Sequence, residues 1–141
     1  MKRVLIMGLP GSGKTTLAQA LRDHLEYFGR KVVWLNADRV RQEYNDWDFT
    51  LDGRIRQSRR MRDLADKIES DFSIVDFVAP LPEMRTIFAA DYTVWMDTVS
   101  KSGYDDTNKL FVPPEEFDVR ITMRNAELWS AILGKTLLEI R

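Results

Sequence analysis

The chain has no cysteine, which rules out disulfides, thiolate metal sites and a thiol nucleophile, and fits a reducing compartment such as the cytoplasm. No apolar stretch approaches the roughly 20 residues of a membrane span, so no membrane association is expected. The first hydrophobic run begins almost at once, leaving no room for a signal peptide. A net charge of −1 offers no general attraction to nucleic acid or to an anionic membrane, and any basic patch must be local. Repeats and low-complexity tracts are missing as well. What is there is an ordinary globular composition, 44% hydrophobic and 30% charged over 141 residues. That suffices for one sizeable core and leaves no room for an appended module, so a single domain over residues 1–141 is expected.

The most informative stretch is Gly8-Leu9-Pro10-Gly11-Ser12-Gly13-Lys14-Thr15, a complete G-x-x-x-x-G-K-[ST] phosphate-binding loop. Val4-Leu5-Ile6-Met7 before it reads as a buried strand. Leu17, Leu21, Leu25 and Phe28 after it recur at helical spacing. Strand, glycine loop and helix in that order are the context the motif requires. Glycines let successive backbone N–H groups turn inward around a phosphate, and the helix N-terminus adds roughly half a positive charge there. Lys14 supplies a mobile cation for the outer phosphates, and Thr15 offers a hydroxyl to Mg²⁺. Residues Gly8 to Thr16 are therefore expected to hold a nucleoside triphosphate, with ATP and Mg²⁺ as the cofactors.

Further along, Lys31–Leu35, Phe72–Val78, Tyr92–Met96 and Phe117–Met123 read as four more strands. A short helix through Arg41 and Tyr44 follows the second strand. A long helix capped by Thr50 or Asp52 runs to about Ser70, with Ile55, Met61, Leu64, Ala65 and Ile68 as its apolar stripe. Pro82 opens another helix, and Ala126–Ile140 closes the chain with Trp129, Ile132, Leu133, Leu137 and Ile140 inward. Residues 98–112 show no periodicity and read as a loop. Alternating strands and helices predict an α/β three-layer sandwich, a five-stranded parallel sheet between helices. Ligands in such folds sit at the carboxyl ends of the strands, which brings the phosphate loop, Asn36–Asp38, Asp76–Pro80 and the 98–112 loop around one cleft.

Asp38 and Asp76 are the acidic candidates in that cleft. Phosphoryl transfer needs Mg²⁺ near the outer phosphates and a carboxylate to take the acceptor's proton. Capping the next helix is the alternative use of an Asp at either position. The densest positive charge is Arg54, Arg56, Arg59, Arg60 and Arg62, with Arg39 and Arg41 upstream. Helical spacing forbids all of them from facing one site, and Arg41 and Arg54 are assigned to the cleft. Trp47 and Phe49 are the only nearby aromatics, too few for a nucleic-acid groove, so no nucleic-acid partner is expected. His24, on or near the inner stripe of the first helix, receives no catalytic role.

These residues resemble the adenylylsulfate (APS) kinase family. Asn36-Ala37-Asp38-Arg39-Val40-Arg41 is similar to that family's D-G-D-N-V-R, and Asn45, Phe49, Arg54 and Arg59-Arg60 follow in its order. Phe77-Val78-Ala79-Pro80 resembles F-I-S-P, and Val94-Trp95-Met96-Asp97-Thr98 resembles a V-x-V-D-T strand end. The resemblance covers roughly residues 1–98. It implies transfer of the ATP γ-phosphate to the ribose 3′-hydroxyl of adenosine 5′-phosphosulfate. Arg41 and Arg54 would hold the phosphosulfate and Phe49 would stack on its adenine. Asn36, Gln57, Phe77, Val78, Ala79 and Pro80 would line the acceptor pocket. Lys14 and Asp38 would be catalytic, with Thr15 and Asp38 on the metal; Asp76 is the third catalytic candidate, from its position at a strand end and not from the resemblance.

The departures are specific. Asn36 stands where the family has its first Asp, Ala79 replaces a serine, and Gln57 replaces an Asn. The basic lid is short, with only Lys101 and Lys109 left in it. Asp76, where the family has a small residue, is expected to compensate for Asn36. Two other readings stay open: a P-loop kinase for another nucleotide, a sugar or a polynucleotide 5′ end, and an ATP-binding module without transferase activity. A homodimer is left open too.

Overall fold

The computed structural model describes residues 2–140. Five parallel strands form one sheet: β1 (Lys2–Met7), β2 (Val32–Asn36), β3 (Phe72–Asp76), β4 (Tyr92–Met96) and β5 (Val119–Ile121), in spatial order β2-β3-β1-β4-β5. Six helices connect or follow them: α1 (Lys14–Tyr27), α2 (Ala37–Tyr44), α3 (Leu51–Lys67), α4 (Pro82–Phe88), α5 (Asp105–Leu110) and α6 (Ala126–Glu139). Strand alternation builds the three layers. Val4 and Ile6 of β1 enter a core with Leu17, Leu21 and Leu25 of α1 and Leu133 and Leu137 of α6. Leu5 and Met7 enter the opposite core with Val40, Met61, Ala65 and Phe88. β1, paired on both edges, is thus buried on both faces, as its unbroken aliphatic run requires.

Several local expectations change. The last strand is three residues long, not Phe117–Met123, because it pairs with β4 only over Val119, Arg120 and Ile121; Met123 is 78% exposed. The third strand ends at Asp76 rather than Val78, and Ala79 turns the chain with φ +46°. In α6, Leu133 and Leu137 face inward as read, but Ile132 and Ile140 are exposed and Ser130 and Gly134 are buried instead. The reason is close approach: a Cβ on Gly134 would lie 2.1 Å from the His24 ring on α1. The 98–112 loop contains α5.

In α3 the buried residues are Gly53, Arg54, Gln57, Ser58, Met61 and Ala65, and Ile68 is exposed. The N-terminal half of this helix therefore turns a polar face inward. A polar inner face needs partners or a cavity.

Candidate active site

A cavity of about 1060 Å³ opens over the carboxyl ends of β1, β2 and β3. Its near wall is the phosphate loop, where Gly8, Gly11 and Gly13 have φ of +150°, +81° and +100°. At Gly8 a side chain is excluded outright, since a Cβ would meet the Met96 carbonyl oxygen at 2.5 Å. Gly13 passes directly into α1, so the loop's amides and the helix N-terminus face the same space. The Thr98 hydroxyl clamps the loop from β4's end by donating to the Ser12 carbonyl, 2.7 Å. Pro10, Gly11, Gly13, Lys14, Thr15 and Thr16 line the cavity, whereas Gly8, Leu9 and Ser12 are buried behind it.

Lys14 donates to the Leu9 carbonyl at 2.9 Å. Burial pushes its ammonium down to about 8, against the opposing pull of Asp76 and then Asp38. Asp76, 2% exposed, sits where β3 lies in register with Ile6 of β1 and Asn36 of β2. Its Oδ1 accepts from the Thr15 hydroxyl at 3.3 Å and the Asn36 amide at 2.9 Å, and its Oδ2 accepts from the Trp34 indole at 2.6 Å. Burial raises its carboxyl to about 6 despite these donors, Trp34 foremost. Asn36 also donates to Thr15 Oγ1 at 3.1 Å, while its own oxygen caps α2 by accepting from the Arg39 backbone. Thr15, Asn36 and Asp76 therefore form one hydrogen-bonded group. Asp38, in the first turn of α2, lines the cavity as an exposed carboxylate, and the carboxylate hydrogen-bonded to Thr15 is Asp76.

The far wall carries Arg41, Phe49, Arg54 and Gln57. Arg41 donates to the Asp46 and Asp48 carbonyls, and its guanidinium lies 4.3 Å from the centre of the Phe49 ring. Arg54 donates to the Phe49 carbonyl at 2.9 Å and the Thr107 hydroxyl at 3.3 Å. Burial lowers the pKa of both guanidinium groups. Gln57 donates to the Ala37 carbonyl, tying α3 to the start of α2. The other arginines of the cluster stand aside: Arg56 and Arg60 bind Asp46 and hold the loop that carries Phe49. Hydrogen bonds from Arg56 and Arg60 keep Asp46 well below the usual carboxylate range.

Phe77, Val78, Ala79 and Pro80 complete the wall. Their turn is pinned by Arg85, which donates to the carbonyls of Ala79 (2.9 Å), Pro80 (3.2 Å) and Val112. Burial pushes Arg85 down to about 10.

Lys101 and Lys109 do not line the cavity and are exposed. The segment expected to offer those lysines presents Tyr104, Asp105, Asp106 and Thr107 instead. The physical reason is α5: its first turn, tied to α3 through Thr107 and Arg54, faces inward and leaves Lys109 on the outer side. Sequence reasoning also missed Arg124, from the β5–α6 connection, which lines the cavity and donates to the Gly11 carbonyl. Its position just past a strand's carboxyl end was the available signal.

Among the described residues no group of three or more His, Cys, Asp or Glu side chains is built to hold a metal ion, and no helix is long and apolar enough to cross a membrane. The donor set at Thr15 and Asp76, one hydroxyl and one carboxylate, nonetheless fits Mg²⁺. That ion takes few protein oxygens and completes its shell with phosphate and water.

The adenylylsulphate kinase family model matches residues 2–96. A probable adenylyl-sulfate kinase of Aeropyrum pernix is 36% identical over 87 residues, covering 60% of this chain and 48% of that protein. An adenylyl-sulfate kinase of Bacillus pumilus is likewise 36% identical over 87 residues, covering 60% and 44%. The matched stretch spans about half the length of these relatives. The solved APS kinase of Mycobacterium tuberculosis, in complex with AMPPNP and APS, superposes with a TM-score of 0.80 at 22% identity, covering 99% of this chain and 98% of that one. At that identity the likeness is one of fold. The family match takes in well over half of the chain, including the phosphate loop, both acidic candidates and the far-wall arginines, and the chain belongs to the adenylylsulphate kinase family.

Proposed function

We propose that this cavity binds ATP with Mg²⁺ at the phosphate loop and moves the γ-phosphoryl group to the ribose 3′-hydroxyl of adenosine 5′-phosphosulfate. The carrying observation is that one cavity unites Lys14, Thr15 and Asp76 on its near wall with Arg41, Phe49 and Arg54 on its far wall. A triphosphate and a second, anionic nucleotide then face each other across it. Residues 1–141 act in this reading as a single P-loop kinase domain.

The near wall binds and orients. Loop amides and the α1 N-terminus take the β-phosphate, and Lys14 leaves the Leu9 carbonyl for the outer phosphates. Thr15 and Asp76 would hold Mg²⁺, which would supply positive charge against the triphosphate. Trp34 and Asn36 keep the Asp76 carboxylate aimed at Thr15. On the far wall, half-exposed Phe49 offers ring surface to the acceptor's adenine. Arg41 and Arg54 present paired donors to the phosphosulfate. Arg85 fixes the Ala79–Pro80 turn against which the acceptor rests. The 3′-oxygen attacks the γ-phosphorus, ADP departs, and the hydroxyl proton passes to Asp38, the exposed carboxylate on the rim. Positioning and electrostatics supply most of the catalysis in such transfers.

A second reading, a P-loop kinase for a less anionic hydroxyl acceptor, is favoured by one observation: Asp105 and Asp106 line the cavity. An acceptor panel followed by coupled ADP release separates the two. Adenosine 5′-phosphosulfate is expected to give the highest kcat/KM; a sugar or an unsulfated nucleotide giving the highest value would replace the first reading with the second.

A further inference from the structure

Arg124 is unexplained by the roles above. It is an exposed cation on the β5–α6 connection, and among the described residues it makes no ion pair. It lies across the phosphate loop, with its aliphatic carbons 3.6 Å from where a Cβ on Gly13 would stand and its guanidinium donating to the Gly11 carbonyl. Beside the main cavity is a smaller hollow of about 180 Å³, lined in part by Leu17, Met96 and Trp129. Gly13, Thr16 and Arg124 line both spaces. A nucleotide with its base in the apolar hollow and its outer phosphates at Lys14 must pass this junction.

Arg41 and Arg54 stand on the far wall and serve the acceptor in the reading above, and Lys101 and Lys109 lie outside the cavity. Mg²⁺, Lys14 and a helix N-terminus of about half a charge leave part of a triphosphate's charge unmet. Lys14 and Arg124 are alike in resting on carbonyls of the loop itself, at Leu9 and Gly11. A neutral carbonyl is a weaker partner for a cation than a phosphate oxygen is.

We propose that Arg124 swings from the Gly11 carbonyl onto the inner phosphates of the bound nucleotide and supplies, from the β5–α6 connection, the cation that the 98–112 segment does not. This rests on the loop's reading as a triphosphate site but not on the identity of the acceptor.

The test is calorimetric binding of the full chain, in Mg²⁺ buffer, to ATP, inorganic tripolyphosphate and adenosine. R124A is expected to weaken ATP and tripolyphosphate about tenfold, the scale of a charge-assisted pair in a solvated setting, and to leave adenosine unchanged; R124K is expected to recover part of the loss. Because Arg124 is exposed, an unchanged melting temperature will show the variant folded. Tripolyphosphate binding R124A as tightly as wild type, or a loss confined to adenosine, overturns the proposal. K14A separates the two layers: if it loses tripolyphosphate while R124A does not, only the role of Arg124 falls, and if neither loses it, the triphosphate site falls as well.

Discussion

Replacing Asp76 with Asn tests the near wall through stability and turnover together. Asp76 is 2% exposed and titrates near 6 in the fold, against 3.8 as its ordinary value. A carboxyl with a raised folded pKa takes up its proton more readily when folded, so its stabilising contribution is full below 3.8 and is lost as pH rises through 6. Between about pH 7.5 and about pH 4.5 the wild type should therefore gain roughly 2 kcal/mol from this one group. D76N cannot titrate and gains nothing from it. Any pH-independent effect, such as an Asn N–H left facing the Trp34 or Asn36 donor, cancels in the comparison. Thermal unfolding of both proteins at the two pH values should show the wild-type melting temperature improving relative to D76N by roughly 5–8 °C on acidification. A difference that does not change with pH would refute the buried, charged carboxylate. Turnover of D76N should fall about 100-fold or more, since the metal-side charge is removed. N36D in the D76N background should recover at least about tenfold of that loss. Residue 36 is the register partner of 76, already reaches Thr15 at 3.1 Å, and Asp caps α2 as well as Asn does.

The pH profile of kcat/KM should be bell-shaped, with an acid limb near 6 from Asp76 and a basic limb near 8 from Lys14. It reports the free enzyme, and the acid limb should flatten in D76N. R54A, which removes the donor to Phe49 and Thr107, should raise KM for the acceptor about 10- to 100-fold and leave KM for ATP within about twofold, as steady-state kinetics will show. G134A should lower stability by about 1–2 kcal/mol, overpacking against His24 outweighing roughly 1 kcal/mol of helix propensity. In an H24A background only the propensity gain remains, and denaturant unfolding should show the sign reversed.

The legible parts of this chain were those whose geometry is set within a few residues. The strand–glycine-loop–helix unit needs left-handed glycines and an adjacent lysine, and all of these fall within Gly8–Thr15. The Thr50 cap follows from local side-chain chemistry in the same way, whereas the Asn36 cap, equally local, was not read. The missed parts depend on distant neighbours. Helix α5 has a single buried residue, Thr107, and is held by Arg54, 53 positions away, so no apolar period announces it. Arg124 meets Gly11 across 113 positions. The α6 stripe was misread because Gly134, not Ile132, lies against His24 of α1. In α3, Arg54 and Gln57 were read toward the cleft, but Ser58 beside them was not, and Ile68, read into the apolar stripe, is exposed, because the first half of the helix faces a cavity rather than a core.

The most direct measurement is the fate of a labelled γ-phosphate. With γ-labelled ATP, Mg²⁺ and adenosine 5′-phosphosulfate, the wild-type chain should place the label on the ribose 3′-oxygen in step with ADP formation, and K14A should not. Label appearing only as inorganic phosphate, or moving equally well in K14A, would contradict the account.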